Sequence, residues 1–378
     1  MRILIVTASY GSGHNEAARS LATAFGRQGA TTVVVDHFRE LVDPRFERAT
    51  HAFYHWLLRR APLIWALAYE LGDRMASDSP LTFGVTRLGT ARLTRLLDRL
   101  APDAVVTTHA TPAIALAALV TRGHRVPPHT TVVTDFIAHR QWLAAGIDRY
   151  CVPAPGMKHE LIARGIPTDR IVVTGVPVRE EFDEPVGVSE ARARLGLPAG
   201  KPIVLAMAGS EASLGRLPDV ARALMRPEHP LEALLVAGRN RELAERLRRL
   251  TAGTTIRVLE HVREVRTLMA AADLLVTKAG GMTVAEAIAA ELPMVLYGSL
   301  PGQERRNERF AARAGFGLIA RSPRELASAI DQALGDPALL EHLRDRIRGA
   351  RQPRASHRIA GIVLGREPSG ATPKLSGS

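Results

Sequence analysis

Short apolar runs alternate with longer amphipathic stretches along most of the chain. The runs are rich in Val, Ile and Leu and are bounded by polar residues, Gly or Pro. In the first half they predict strands at Arg2–Ala8, Thr31–Asp36, Ala104–Thr108, Thr130–Asp135, Tyr150–Pro153 and Ile171–Thr174. In the second half they predict strands at Ile203–Ala208, Leu234–Ala237, Ile256–Leu259, Leu274–Thr277 and Met294–Tyr297. Strands that alternate with helices indicate parallel sheets covered on both faces, so two such series predict an α/β protein with two Rossmann-like domains.

A stretch rich in Pro, Gly and charge separates the two series. It covers residues 176–201, and a new strand follows it. We therefore predict a first domain over residues 1–175, a linker over 176–201 and a second domain over 202–353. Residues 354–365 are expected to cross back onto the first domain, and the composition of 366–378 predicts a disordered tail. Helices are predicted at Asn15–Gln28, over about residues 46–100, at Pro112–Thr121 and at Ala338–Arg348.

The composition is that of an ordinary globular protein. Hydrophobic residues make up 46% of the chain and charged residues 23%, and the one cysteine, Cys151, excludes an intrachain disulfide. The N-terminal apolar run is too short for a signal peptide. No uncharged apolar stretch reaches the ~18 residues that a membrane span needs. These features predict a soluble cytoplasmic protein.

The net charge of +12, from 50 basic and 38 acidic residues, departs from the ordinary. Such an excess suits an anionic partner, either nucleic acid or anionic lipid, or it reflects arginines scattered over solvated faces. Aromatic residues make up only 4% of the chain, with no stacking pattern and no recognition-helix or zinc motif. We therefore expect an anionic membrane surface as a partner in preference to nucleic acid.

The stretch from Thr277 to Asn307 carries the strongest functional pattern. A glycine turn at Gly280–Gly281 follows an apolar strand and leads into a helix near Thr283, and the next strand is followed by the polar loop Pro301–Glu304. A helix N-terminus after such a turn offers unpaired N–H groups and a positive dipole to a phosphate. Loops beyond neighbouring parallel strands face one crevice, so the pattern predicts a nucleotide-sugar site. Thr283 with Glu286 also fits a capping box, in which Glu286 would bind only the helix backbone.

A glycine-containing loop also joins the first predicted strand to the first helix. This loop, Ala8–His14, lacks the third glycine of the dinucleotide fingerprint and is weak as a cofactor motif. It places His14 at a helix N-terminus, where the dipole disfavours imidazolium and should keep the ring neutral. A neutral histidine there can act as a general base, worth about 10²–10⁴-fold in rate, or can merely cap the helix.

Residues 51–75 combine aromatic, apolar and basic side chains around Pro62. Such a segment fits a helix lying in the bilayer interface, where each Arg adds about 1 kcal/mol on anionic lipid. It also fits a buried helix packed on the sheet, or the lining of an apolar pocket. The side chains concerned are Phe53, Trp56, Leu57, Trp65, Leu67 and Tyr69, beside Arg59 and Arg60.

Three segments of the chain resemble one glycosyltransferase family. They are Gly11–Ala18, Val132–Phe182 and the Thr277–Asn307 stretch with its PGQExxN ending, and the matches keep the family's order over about residues 3–320. The family is that of monogalactosyldiacylglycerol synthases and bacterial processive diacylglycerol glucosyltransferases. The GlcNAc transferase that completes lipid II is a more distant relative. The resemblance implies a GT-B fold, with two facing Rossmann-like domains and a cleft between them.

The resemblance also implies an activity and roles for the matching residues. The activity is an inverting transfer of a hexose from UDP-glucose or UDP-galactose to a lipid hydroxyl, most simply that of diacylglycerol. His14 would deprotonate the acceptor, and Asp135 would orient or assist it. On the donor side, Glu286 would hold the ribose, and Gln303 and Glu304 the sugar. The other donor-side positions are Gly13, Ser210, Gly280, Gly281, Thr283 and Asn307, of which Ser210 and the glycine turn would hold the diphosphate.

On the acceptor side the resemblance points to His109, His139 and Trp142. His139 and Trp142 match the family's HxxW spacing. A structural role for His139 explains that spacing equally well.

The sequence predicts that neither a metal nor a cofactor is needed. It contains no Asp-x-Asp pair and no His/Cys cluster with metal spacing. The leaving-group charge would instead be met by helix N-termini and by cations such as Lys278 or Arg239. The loop at 207–211 holds one glycine where the family usually has two or three, which leaves less room for the backbone to approach a diphosphate. Ala279 also replaces a common proline.

Three functions are compatible with these patterns. The first is a lipid glycosyltransferase, cytoplasmic and peripheral on the inner face of the cell membrane. The second is a glycosyltransferase with a soluble small-molecule acceptor. The third is a nucleotide-sugar-binding sensor at the membrane without turnover.

Overall fold

The computed structural model describes residues 1–9, 11–61, 64, 67, 70, 88–144, 146–208, 216–226 and 230–366. The predicted site residues Trp65, Tyr69 and Ser210 lie outside the described residues, as do the side chain of Arg59 and residues 367–378. The chain divides into two compact units, one formed by Met1–Glu180 with Gln352–Ser378 and the other by Glu181–Arg351. The division after Glu180 falls within the Pro- and Gly-rich stretch 176–201.

The first unit is built on one parallel sheet. Its strands are β1 (Arg2–Thr7), β2 (Thr31–Asp36), β3 (Ala104–Thr107), β4 (His129–Val132), β5 (Arg149–Val152) and β6 (Ile171–Val173). Its described helices in this part of the chain are α1 (Ser12–Arg27), α2 (Pro44–Arg60), α3 (Thr90–Leu100), α4 (Ala110–Thr121) and α5 (Pro155–Ala163). A π-helical turn at His37–Val42 follows β2. Short 3₁₀ turns lie at Arg140–Trp142, Thr168–Arg170 and Glu180–Phe182.

The strand order of this sheet is β2-β1-β3-β4-β5-β6, and every pairing is parallel. Side chains alternate between the two faces, as a strand requires. Ile3 and Ile5 pack with α1, while Leu4 and Val6 pack with α3 and α4. The helices that follow β1 and β3 therefore cover opposite faces, and the loops at the carboxyl ends of these adjacent strands diverge. Such a divergence is where open α/β sheets bind ligands.

The second unit repeats this architecture. Its strands are β7 (Ile203–Met207), β8 (Glu232–Val236), β9 (Ile256–Leu259), β10 (Leu274–Thr277), β11 (Met294–Tyr297) and β12 (Gly317–Ala320), in the order β12-β11-β10-β7-β8-β9. Its described helices are α6 (Val188–Leu195), α7 (Leu217–Leu224), α8 (Arg241–Leu250), α9 (Val265–Ala271), α10 (Gly281–Ala289), α11 (Gln303–Arg313), α12 (Pro323–Gly335) and α13 (Pro337–Ala350). The divergence point here lies between β7 and β10.

The last described helix, α14 (Ala355–Val363), returns to the first unit. Ile359 and Ala360 are fully buried in one core cluster with Ala24 and Phe25 of α1. The Ser356 hydroxyl also donates to the Val178 carbonyl at 3.0 Å. Helix α14 therefore packs on the first unit.

Several predicted ends of strands and helices differ from those in the structure. β4 was predicted to reach Asp135 but ends at Val132, because the ladder with β5 stops there. The polar loop predicted at Pro301–Glu304 is half helical, because α11 already begins at Gln303. β12 was not predicted; it is a short strand whose first residue, Gly317, pairs with Met294. A Cβ at Gly317 would lie 2.0 Å from the Met294 carbonyl oxygen, so the close approach requires glycine.

Candidate functional site

One group of candidate residues lies at the carboxyl ends of β1, β3 and β4. His14 stands in the first turn of α1, behind a Gly11 whose φ of 96° only glycine adopts readily. Its Nδ1 atom lies 2.8 Å from the Thr108 carbonyl oxygen and 2.9 Å from the Thr134 hydroxyl oxygen. The Thr108 hydroxyl in turn donates to the His14 carbonyl at 3.1 Å. Side chain and backbone of His14 are therefore both fixed by the loops that follow the neighbouring strands.

These contacts assign the proton on the His14 ring. A carbonyl oxygen can only accept, so the 2.8 Å contact requires Nδ1 to carry hydrogen and donate it to Thr108. In the neutral ring the lone pair is then on Nε2. Nε2 is consequently the atom of His14 that can accept a proton from another molecule.

Burial lowers the pKa of His14 below its ordinary value of 6.5, while the charge of Asp135 and the bond to the Thr108 carbonyl act in the opposite direction. The ring is therefore neutral at physiological pH, as the sequence predicted. The main cause differs, because desolvation outweighs the other influences acting on the ring. Asp135 is 7% exposed and follows the end of β4. It favours the imidazolium that a proton transfer would create.

A second histidine, His109, lies edge-on to His14 with ring centroids 4.6 Å apart. His109 is the N-cap residue of α4, and its Nδ1 accepts from the Thr111 amide at 3.1 Å. Burial, followed by the neighbouring His14 and His37, lowers the pKa of His109 well below 6.5. His109 is thus a neutral capping residue beside the candidate base.

The HxxW pair has a clear local role. His139 caps the short turn at Arg140–Trp142, accepting from the Gln141 amide at 3.1 Å. Trp142 is 3% exposed and packs in the core, and its ring centroid lies 6.5 Å from that of His14. Trp142 therefore backs the histidine cluster from inside the unit and does not face a lipid surface.

A polar chain behind His14 was missed by the sequence analysis. Asn15 accepts from the Thr7 hydroxyl at 3.0 Å and donates to the Ser9 hydroxyl at 2.9 Å. Ser9 donates to the carboxylate of Asp36, which also accepts from the Arg39 amide at 2.9 Å. This chain joins the start of α1 to the ends of β1 and β2. The adjacency of Asn15 to His14 in the sequence was the signal that could have revealed it.

A second group of candidate residues lies after β10 in the other unit. The Gly280 amide donates to the Lys278 carbonyl at 2.9 Å, and the Ala279 amide donates to the Ser299 hydroxyl at 3.1 Å. These two N–H groups are therefore used within the protein. Ser299 is a further residue that the sequence analysis did not single out.

The capping-box alternative for Thr283 and Glu286 does not hold in its predicted form. The N-cap residue of α10 is Gly280, and Thr283 lies within the first turn of the helix. Glu286 is 8% exposed and lies in the middle of α10.

Lys278 and Glu304 form a close ion pair. The Lys278 ammonium lies 2.6 Å from Oε1 of Glu304, and both side chains are largely buried. The other carboxylate oxygen of Glu304 accepts from the Leu300 amide at 2.9 Å. Gln303 precedes Glu304 at the start of α11, and Asn307, one turn on, donates to the Ala279 carbonyl at 3.3 Å. The predicted donor-side residues of this stretch are thus tied to one another across β10 and β11.

Comparison with known proteins identifies the proteins that this chain resembles. Residues 14–178 match the family model described as monogalactosyldiacylglycerol (MGDG) synthase, and residues 207–336 match the one described as glycosyl transferases group 1. The processive diacylglycerol beta-glucosyltransferase of Bacillus subtilis (strain 168) is 28% identical over 365 residues, covering 96% of this chain and 94% of that protein. The protein of that name from Bacillus cytotoxicus is 29% identical over 367 residues, covering 96% and 93%.

The chain is a hexosyltransferase that resembles the processive diacylglycerol glucosyltransferases over nearly its whole length.

Solved structures give the fold of this glycosyltransferase. The crystal structure of Acinetobacter baumannii MurG matches with a TM-score of 0.66 at 19% identity, covering 96% of this chain and 99% of that one. A UDP-GlcNAc 2-epimerase from Neisseria meningitidis, bound to UDP-GlcNAc, matches with a TM-score of 0.59 at 14% identity, covering 97% and 100%. At such identities the likeness shows the fold alone, which is of the GT-B class.

The remaining predicted residues of the glycosyltransferase lie at the surface. Arg239 is exposed after the end of β8. Trp56 is 55% exposed and Arg60 is exposed, both on α2. Gly13 lies in the first turn of α1 in the first unit, whereas the other donor-side residues belong to the second unit.

In the described ranges, no group of three or more His, Cys, Asp and Glu side chains is placed to hold a metal ion. Among the helices that the structure describes, none is both long and apolar enough to cross a bilayer.

Proposed function

We propose that the enzyme moves a hexose from a UDP-sugar to the hydroxyl of a diacylglycerol-type lipid, with inversion at the anomeric carbon. The observation that carries the proposal is the state of His14. Its Nδ1 proton is committed to the Thr108 carbonyl at 2.8 Å, and burial keeps the ring neutral, which leaves Nε2 as an available base. The names of the relatives supply the lipid and the glucosyl group.

The proposed reaction is a single displacement. Nε2 of His14 takes the proton of the acceptor hydroxyl as its oxygen forms a bond to the anomeric carbon. The bond from that carbon to the UDP oxygen breaks, and UDP leaves with the electron pair. His14 becomes an imidazolium, which the charge of Asp135 favours. Attack opposite to the leaving group inverts the configuration.

The second unit supplies the donor side in this proposal. Glu286, Gln303 and Glu304 would hold the ribose and sugar hydroxyls, and the turn at Gly280–Gly281 the diphosphate. We propose UDP as the nucleotide, since a structural neighbour of the same fold was solved with UDP-GlcNAc. We propose that no metal or cofactor is needed, with cations of the protein meeting the charge of the leaving group. Activity that survives a chelating agent would support this part.

A surface of α2 supports a membrane-bound acceptor. Phe53 and Trp56 are 61% and 55% exposed, and their rings stack with centroids 6.0 Å apart. Arg60 follows on the same face of the helix, since residues three, four and seven apart are neighbours there. Beyond the end of α2, Ile64 and Leu67 are 61% and 62% exposed. Exposed aromatic and apolar side chains beside a cation fit the interface of an anionic membrane. We therefore propose peripheral attachment to the inner face of the cell membrane.

The test is a screen for UDP release and glycolipid formation. UDP-glucose, UDP-galactose and UDP-GlcNAc would each be offered with diacylglycerol, in vesicles with and without anionic lipid. We expect a glycolipid of inverted anomeric configuration from one of the hexose donors, faster on anionic vesicles. Formation of glycoside only with soluble acceptors would favour a glycosyltransferase that acts on a soluble small molecule. Binding of UDP-sugar without any turnover would favour the sensor.

Vesicle binding can be tested separately. Replacing Trp56 by Ser removes an exposed aromatic side chain from the proposed surface, and we expect about 10-fold weaker co-sedimentation with anionic vesicles. The matched control is Val188→Ser, which changes an apolar side chain that is 50% exposed in the other unit. If Trp56→Ser and Val188→Ser bind anionic vesicles equally well, the α2 surface does not bind the membrane.

A further inference from the structure

A shallow pocket lies at the divergence point of the second sheet. Its floor is formed by the last residues of three neighbouring strands, Met207 of β7, Thr277 of β10 and Tyr297 of β11. Its wall includes Lys278, which follows β10, and Arg216, which directly precedes α7. The pocket thus carries cationic side chains where open parallel sheets bind ligands.

Arg216 is held in place by Tyr297. The Arg216 guanidinium donates to the Tyr297 hydroxyl at 3.4 Å, and its central carbon lies 5.4 Å from the centroid of the Tyr297 ring. The Tyr297 hydroxyl donates in turn to Asp219 at 3.3 Å. Tyr297 is only 3% exposed, so its ring is fixed by the core of the unit. Contact with a fixed aromatic ring orients a flexible arginine before any ligand arrives.

The residue after Tyr297 makes room for this arginine. Gly298 has a φ of +77°, and a Cβ built on it would lie 3.2 Å from Cγ of Arg216. Only glycine combines that backbone conformation with so close a neighbour. The aliphatic part of Arg216 therefore lies along the end of β11.

The charges around the pocket are unevenly balanced. Lys278 is neutralised by Glu304 at 2.6 Å, and Asp219 is paired with Arg222 at 3.0 Å. Arg216 forms no ion pair with any carboxylate among the residues that the structure describes. A guanidinium with most of its donors open, set in a pocket beside a second cation, suits a ligand with several anionic oxygens.

We propose that Arg216 binds the diphosphate of the nucleotide-sugar donor, an inference that rests on the proposed function. The planar guanidinium can donate to two phosphate oxygens at once while Tyr297 holds its position. The Arg216 side chain would donate some of the hydrogen bonds to the diphosphate that backbone amides donate in glycine-rich loops. That exchange fits the sequence, whose loop at 207–211 holds a single glycine, and it fits the commitment of the Ala279 and Gly280 amides to partners within the protein.

The test compares binding of UDP and uridine to the full-length protein. Replacing Arg216 by Gln removes the charge and keeps much of the side-chain length. We expect the Kd for UDP to rise about 10- to 100-fold, as for the loss of a charge-assisted hydrogen bond, and the Kd for uridine to stay the same. Arg216→Lys should recover only part of the affinity, because an ammonium lacks the bidentate fork.

The matched control is Arg222→Gln, since Arg222 lies on α7 and pairs with Asp219 without lining the pocket. We expect this variant to bind UDP as the unaltered protein does. If Arg216→Gln also binds UDP with unaltered affinity, the assignment of Arg216 is wrong. If the unaltered protein itself binds neither UDP nor UDP-sugars, the proposed function fails, which is a distinguishable result. Unchanged uridine binding by Arg216→Gln shows that the variant is folded.

Discussion

The contact between Thr134 and His14 yields a quantitative prediction about the candidate base. Thr134 is 3% exposed, and its hydroxyl oxygen lies 2.9 Å from Nδ1 of His14. The Thr108 carbonyl oxygen lies 2.8 Å from the same Nδ1 atom. Replacing Thr134 by Val keeps the branched shape and removes the hydroxyl. The Nδ1 proton then keeps only one acceptor, so the orientation of the ring and the position of Nε2 become less well fixed.

The size of the effect follows from these distances. Both contacts fall within the normal range for hydrogen bonds, so neither is negligible. A neutral hydrogen bond contributes about 0.5–1.5 kcal/mol net, and a proton shared between two acceptors places each of them near the lower end. We expect kcat/KM to fall about 2- to 5-fold, since 1.4 kcal/mol corresponds to a factor of ten. The KM for the UDP-sugar should stay constant, because Thr134 belongs to the first unit.

The assay is UDP release at several concentrations of donor and acceptor, with thermal unfolding measured alongside. Thr134→Ser is the control, because it retains the hydroxyl and should recover most of the lost activity. A value of kcat/KM unchanged in Thr134→Val would show that the hydroxyl does not position the base. A loss that Thr134→Ser shares in full would point to packing in place of hydrogen bonding.

Three other predictions concern pH and stability. Asp135→Asn removes the negative charge that raises the pKa of His14, so burial should lower that pKa further. The acid limb of the pH profile of kcat/KM should then move to lower pH, and a shift to higher pH would contradict this reasoning. Burial lowers the pKa of His37 to about 4 and that of His129 to about 3, so the unfolded chain, with an ordinary value of 6.5, binds these protons more tightly. The stability that these neutral histidines contribute is therefore fully present above pH 6.5 and falls as the pH drops toward 4, by about 1.4 kcal/mol per pH unit for each histidine. Urea unfolding at a series of pH values should show that the free energy of unfolding depends less steeply on pH in His37→Gln. Ile359→Ala should lower the free energy of unfolding of the first unit by about 2–4 kcal/mol, because Ile359 is fully buried against α1, and an unchanged urea midpoint would contradict that packing.

Much of the fold could be predicted from the alternation of apolar runs and amphipathic stretches. Strands such as β10 and β11 were predicted to the residue, because short runs of apolar residues bounded by polar residues or turns leave little choice. β12 escaped because Gly317 opens it and its four residues give no clear period. The end of β4 was placed too late because Val133 and Thr134 favour strands locally, while only the partner strand β5 decides where pairing stops.

The site could be predicted in part. His14 was found because a glycine loop marks it in the sequence, and Asp135 because the resemblance to the family points to it; in the structure the charge of Asp135 acts on the pKa of His14. Thr108 and Thr134 were not found, since the contacts to His14 join residues 94 and 120 positions apart, and no local pattern reports such pairs. Arg216 was missed for a similar reason, because its partner Tyr297 is 81 positions away.

The central claim is that His14 acts as the base of a glycosyl transfer. The most direct test is the single-turnover rate of glycolipid formation by His14→Ala at saturating UDP-sugar, with the Kd for UDP measured on the same preparation. His124→Ala serves as the control, since His124 is an exposed histidine of the same unit. The account predicts a rate about 10²–10⁴-fold lower for His14→Ala, with an unchanged Kd for UDP. A His14→Ala rate equal to that of the unaltered enzyme would contradict it.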